Sequence, residues 1–171
     1  MRDSTRLQNE IVEKLSYLNA EKEWPIKKNA TDRFSNQKQV YLPRLDVAVG
    51  PFSIVEGNTH DAIMKIFKQI APKKLQEYVK ENKLKENPNP RCMLAIEIAY
   101  SGSSKHMLGD MTNASMMGLY GFVIGSRSTI DKLNRIFHYS KILKDLGKME
   151  KNLFTNVCII SKEKFMELLN N

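Results

Sequence analysis

Three apolar runs, Cys92–Tyr100, Leu119–Gly125 and Phe154–Ser161, alternate with three amphipathic segments over the second half of the chain, and this alternation constrains the fold more than any other feature. Runs of this length, rich in Ile, Val, Leu and Phe, are what strands covered on both faces require. The intervening segments repeat apolar residues at helical spacing: Leu108, Met111, Ala114 and Met117 over Lys105–Met117, and Ile130, Leu133, Ile136 and Phe137 over Ser128–Lys144. A last helix begins at Ser161, a ready cap, and runs to Leu169. Strand and helix in alternation predict an α/β fold with a parallel or mixed sheet covered by helices. At 171 residues the length suits one domain, 1–171, with a substantial core.

The first half is less regular. Leu7, Ile11, Leu15 and Leu18 predict a helix over Ser4–Leu18, and Glu21–Gln37 is polar and reads as a loop or irregular strand. Val40–Phe52 reads as a strand, or one bent near Pro43, closed by Gly50 and Pro51. Thr59–Lys80 is helical and broken at Pro72, and the Asn-Pro pairs of residues 87–90 make a stiff loop. The methionines Met107, Met111, Met116 and Met117 read as core filler.

Two carboxylates interrupt otherwise apolar strands. Glu97 lies in Cys-Met-Leu-Ala-Ile-Glu-Ile-Ala, residues 92–99, and Asp46 in Arg-Leu-Asp-Val-Ala-Val, residues 44–49. A buried carboxylate requires a cation or hydrogen bonds. A lysine could serve Glu97 and Arg44 could serve Asp46; alternatively, the two carboxylates converge on one hard divalent cation, Mg²⁺ or Mn²⁺. The formal net charge of +8 fits a polyanionic partner. Cys92 and Cys158 read as reduced core residues, and the segment that opens the chain lacks an apolar signal core, so a cytoplasmic location is expected, with no membrane partner. His60, His106 and His138 have no zinc spacing, and no P-loop or nucleophile elbow occurs.

An Asp late in one strand and a Glu in the next core strand, with the order helix, strand, strand, helix, strand, resemble the PD-(D/E)XK nuclease superfamily. The stretches Pro43–Phe52, Ala95–Ile98, Ser101–His106 and Leu108–Asp110 look like a small restriction-enzyme-like group, and the resemblance covers roughly residues 1–125. It implies a restriction-endonuclease-like three-layer α/β/α domain and a Mg²⁺- or Mn²⁺-dependent endonuclease acting on DNA. Asp46, Glu97 and the backbone carbonyl of Ile98 would hold the ion, and Glu10 on the first helix would join them. The chain departs from the pattern at Leu45, where a proline is usual, and at Ala99, where the family has a lysine. Lys105, at the start of the following helix, is the expected replacement, and His106 beside it is either a general base or exposed. Asp110 and Asn113 are expected to face solvent or make helix contacts. The missing lysine keeps open a catalytically inactive relative that binds nucleic acid or a protein partner. Cutting both strands of a duplex would suit a homodimer.

Overall fold

The computed structural model describes residues 3–25, 44–53 and 58–170. The helix α1 (Asp3–Lys14) is followed by a 3-10 turn (Ser16–Leu18) and the strands β1 (Ala20–Pro25) and β2 (Arg44–Val49). Two helices, α2 (His60–Ile70) and α3 (Lys73–Glu81), precede β3 (Cys92–Ala99). The remainder alternates: α4 (Ser104–Met117), β4 (Gly118–Gly125), α5 (Arg127–Asp145), β5 (Val157–Ser161) and α6 (Lys162–Leu168). The expected break at Pro72 separates α2 from α3, and Ser103 and Ser161 cap α4 and α6 by accepting the backbone N–H three residues on. Residues 26–43, which include Pro43 and most of the polar stretch, lie outside the described residues.

The five strands form one mixed sheet in the order β1-β2-β3-β4-β5. The pairs β1–β2 and β2–β3 are antiparallel; β3–β4 and β4–β5 are parallel. Side chains alternate across the strands and build two larger cores and a smaller cluster around Trp24, Leu45, Phe52 and Cys92. Leu94, Ile96 and Ile98 of β3 pack with α1, α2, α3 and α6 through Leu7, Ile63, Leu75 and Phe165. Ala99 of β3 and Val123 of β4 pack with α4 and α5 through Met107, Met111 and Leu133. The protein is therefore an α/β fold with helices on both faces of a mixed sheet, as the alternating runs require. No helix among the described residues is long and apolar enough to cross a membrane.

Two local features of the fold bear on the site. The start of the polar stretch is an edge strand, β1, whose mixed burial reflects a strand that the sheet covers on one side only. The helix α4 also runs directly into β4: Gly118 has extended backbone (φ −81°, ψ 147°) and is the first strand residue. That abrupt join presses α4 onto the sheet. A Cβ on Gly121 would lie 2.7 Å from the Ala114 carbonyl oxygen, a distance no real Cβ contact tolerates. Glycine is thus required there by close approach of helix to strand. Met116, expected in the core, is 68% exposed, whereas Met107, Met111 and Met117 are buried.

Candidate metal centre

The site begins where a ladder ends. The pairing of β2 with β3 covers Val49–Leu94, Ala48–Ala95 and Val47–Ile96 and then stops. One step further along the same register, Asp46 and Glu97 stand opposite each other. In place of backbone pairing, the side chains take over. Asp46 Oδ2 accepts the Ile98 N–H at 2.7 Å, and Glu97 Oε2 accepts the Asp46 N–H at 3.2 Å. The two carboxylates anticipated from the apolar runs are therefore neighbours, each held by the other residue's strand. Because the N–H and C=O of a strand residue project to the same edge, the Ile98 carbonyl faces the gap that its N–H faces.

The ladder on the other side of β2 is also interrupted at this level. Lys22 pairs with Val47 and Trp24 with Leu45, but the intervening Glu23 has φ 51°, a left-handed conformation that costs a non-glycine residue of order 1 kcal/mol. Glu23 Oε1 accepts from Gln8 Nε2 at 3.0 Å, and the same Gln8 amide donates to Asp46 Oδ1 at 2.9 Å. Gln8 is 5% exposed and comes from α1. Glu23 Oε2 is paired with Arg44 Nε at 2.9 Å, so Arg44 makes its ion pair with Glu23 and not with Asp46.

From the other face, α4 contributes Asn113, whose Nδ2 donates to Glu97 Oε1 at 3.1 Å. Asp110, one turn earlier, is half-buried and within electrostatic range of both Asp46 and Glu97. His106 precedes it by another turn; its charge acts on Asp110, and its Nδ1 lies 3.0 Å from Ser103 Oγ. Residues 106, 110 and 113 thus form one polar stripe of α4 turned to the carboxylates, while 107, 111 and 114 face the core. The expectation that Asp110 and Asn113 lie away from the site is corrected.

Burial, followed by the Asp46 carboxylate beside it, pushes the Glu97 carboxyl up to about 9. Asp110 is raised to about 6, by burial and then by Asp46. Asp46 is raised by burial and by Glu23, against the lowering effect of the Ile98 N–H and Gln8. Among the described residues no Lys, Arg or His forms an ion pair with Asp46, Glu97 or Asp110. No three His, Cys, Asp or Glu side chains among them make a ligand set on their own. Two carboxylates, one main-chain carbonyl and open coordination positions for water are what Mg²⁺ ordinarily accepts, so the residues present fit such an ion.

The remaining anticipated residues lie elsewhere. Glu10 Oε2 is 3.9 Å from Lys162 Nζ, and it is Gln8, on the buried stripe of α1, that reaches the carboxylates. Lys105 is exposed and lines a groove between α4 and α5 with Lys132 and Arg135; no hydrogen bond or ion pair among the described residues joins it to Asp46 or Glu97. Ala99 is 1% exposed within the α4–α5 core, and its carbonyl accepts from Thr129 Oγ1 at 2.6 Å. Gln8 had a signal in the sequence: at three and seven residues before Ile11 and Leu15 it occupies an apolar face, the same anomaly that marks Glu97. Glu23 had none, because it sits among other polar residues. Comparison of the chain with protein-family models, with curated proteins and with solved structures yields no match.

Proposed function

We propose that the protein is a divalent-metal-dependent endonuclease of the restriction-enzyme-like type, acting on DNA. The observation that carries this reading is the Asp46–Glu97 pair at the end of the β2–β3 ladder, a half-buried and a buried carboxylate side by side with no ion pair to a cation among the described residues. The element order supports it as well: α1, β1, β2, β3, α4 and β4 follow the helix, three strands, helix, strand core of the PD-(D/E)XK superfamily, with α2 and α3 inserted before β3. The net charge of +8 supports a nucleic-acid substrate.

Asp46, Glu97 and the Ile98 carbonyl would hold Mg²⁺ or Mn²⁺, which when bound supplies Lewis-acid stabilisation of a phosphoryl oxygen and an acidified water. The chain's own residues fix this arrangement. Gln8 and the Ile98 N–H lock the Asp46 carboxylate through its two oxygens, and Asn113 and the Asp46 N–H lock Glu97. Asp110 and His106 are the ionisable groups on the α4 stripe able to exchange a proton, Asp110 within electrostatic range of both carboxylates and His106 next along the stripe, held by Ser103. Lys105 would have to swing from the α4–α5 groove to serve as the family's lysine.

Ala99 favours a second reading, a nuclease-fold protein that binds nucleic acid or a protein without cutting, because its small side chain leaves no ammonium on this face of β3. Plasmid nicking in Mg²⁺ or Mn²⁺ separates the two. Nicking by the parent chain that disappears in Glu97→Gln supports the enzyme; Mn²⁺-dependent stabilisation with no nicking supports the binder. A parent chain whose melting temperature ignores both ions overturns the metal centre.

A further inference from the structure

A groove of about 640 Å³ runs between α4 and α5, and its two ends differ in chemistry. The two helices are successive crossovers of the parallel set β3–β4–β5 and pack on one core, so they run parallel and start at the same end of the groove. At that end Ser104 and Lys105 open α4, and Lys132 and Arg135 stand on the second and third turns of α5. Beyond them the walls turn apolar, through Leu108, Tyr139, Leu143 and Phe154. Leu153 marks the far end, where its carbonyl accepts from Ser115 Oγ, late in α4, at 2.7 Å. Leu108, Tyr139 and Leu153 are exposed to solvent along this groove. No Asp or Glu side chain lines it, and among the described residues no ion pair engages Lys105, Lys132 or Arg135. Arg135 Nε donates to its own helix, at the Asp131 carbonyl, at 3.4 Å.

We propose that this groove is a binding site for an anionic amphiphile, a straight-chain carboxylate with its head on Lys105, Lys132 and Arg135 and its chain laid along Tyr139 and Leu143 towards Leu153. Clefts of this size with apolar walls and a few convergent polar groups are the kind that hold small ligands. The segregation of charge selects the ligand. A nucleic-acid backbone carries a charge at every step and would need cations along the whole groove, whereas the lining cations stop at Arg135. A guest with one anionic head and an apolar body matches both ends at once. The guanidinium of Arg135 and the two ammonium groups suit a carboxylate. From Arg135 to Leu143 the α5 wall is about 12 Å long at 1.5 Å per residue, the reach of an extended chain of roughly ten carbons. The groove lies apart from the Asp46–Glu97 network, so the inference does not rest on the nuclease reading.

Isothermal titration of the full chain with sodium dodecanoate, below its micelle concentration, tests it. One dodecanoate should bind per chain with a Kd on the order of 10–100 µM, a modest yield per non-hydrogen atom. Octanoate should bind at least about tenfold more weakly, because each methylene laid on the apolar wall adds to the affinity. Dodecanol and dodecyltrimethylammonium, which lack the anionic head, should also bind at least about tenfold more weakly. The combined Lys132→Glu and Arg135→Glu variant should lose dodecanoate affinity by about tenfold or more, and so should Leu153→Asp at the other end. Lys144→Glu, outside the lining, should bind as the parent does. The three substituted groove residues are exposed, so each variant should keep the parent circular dichroism spectrum. Failure of dodecanoate to bind, unchanged affinity in both groove variants, or equal affinity for octanoate overturns the proposal. So does a chain that ignores dodecanoate yet sediments with phosphatidylglycerol vesicles, or binds a DNA duplex through Lys132 and Arg135, since either result gives these cations to a membrane surface or to nucleic acid.

Discussion

Asp46 Oδ2 accepts the N–H of Ile98 at 2.7 Å, so a carboxylate side chain occupies the place of the next rung of the β2–β3 ladder. The contact fixes Asp46 against the strand that carries Glu97, and Glu97 returns a bond to the Asp46 N–H. Two acids are thereby held side by side, where burial raises the proton affinity of both and the Asp46 carboxylate raises that of Glu97 further.

Burial, and after it that repulsion, have a measurable cost in the metal-free protein. The Glu97 carboxyl is raised from an ordinary value of 4.5 to about 9 in the fold, so between these limits the unfolded chain releases a proton that the folded chain retains. Stability from this group is complete below the unfolded pKa and falls as pH rises towards the folded one. Glu97→Gln removes the charge. It should raise the metal-free melting temperature near pH 8 by several degrees, at about 2–4 °C per kcal/mol for a chain of this size, and the gain should vanish at acid pH. A gain that persists at acid pH would assign the effect to packing.

Metal binding must displace the Glu97 proton, and Asp110 loses its own at about 6. The stabilisation given by Mn²⁺ should therefore grow as pH rises from acid to mildly alkaline. The combined Asp46→Ala and Glu97→Ala variant should show none at any pH. Thermal melts with and without Mn²⁺ across the range read both outcomes, and a flat profile in the parent chain would exclude Glu97 as a ligand.

Gln8 stands between two carboxylates, and its loss should be felt at both. Gln8→Leu fills the space without the donor and should cost about 1–3 kcal/mol of stability, since each lost hydrogen bond is to a charged acceptor. It should also weaken Mn²⁺ binding by about tenfold or more, as removal of a ligand-orienting partner does. Isothermal titration with Mn²⁺ separates the two, because a purely structural glutamine would lower the melting temperature and leave the affinity unchanged.

Gly121 couples the packing of α4 to the site. In Gly121→Ala the new Cβ meets the Ala114 backbone, so the helix must move away and carry Asn113 from Glu97. Overpacking of this kind costs about 1–3 kcal/mol. The variant should be destabilised and should bind Mn²⁺ more weakly, whereas Gly109→Ala, which meets no atom within 4 Å, should keep parent metal affinity and gain slightly in stability. Equal Mn²⁺ affinity in Gly121→Ala would show that Asn113 does not position Glu97.

If nicking is observed, His106 and Lys105 should part company. His106 lies on the α4 stripe beside Asp110, and His106→Ala should slow nicking by about 10²-fold or more, the usual size of a proton-transfer contribution. Lys105→Ala, in the groove facing α5, should change it little. The reverse ranking would restore Lys105 as the displaced family lysine.

The sequence by itself determined the strands β2 to β5, the helices and the two acids. Short apolar runs rich in β-branched residues and flanked by helical-period segments fit strands covered on both faces, and a carboxylate inside such a run is conspicuous because burial without a partner is so unfavourable. Only the tertiary structure decided what surrounds those acids. Gln8, Glu23 and Asn113 come from three other elements, and their meeting depends on the β1–β2–β3 register and on how closely α4 lies on β4. Lys105 and Glu10 failed to appear in that network for the same reason. A position along a helix specifies only a direction around its axis, and which neighbour lies in that direction is settled by how the layers pack.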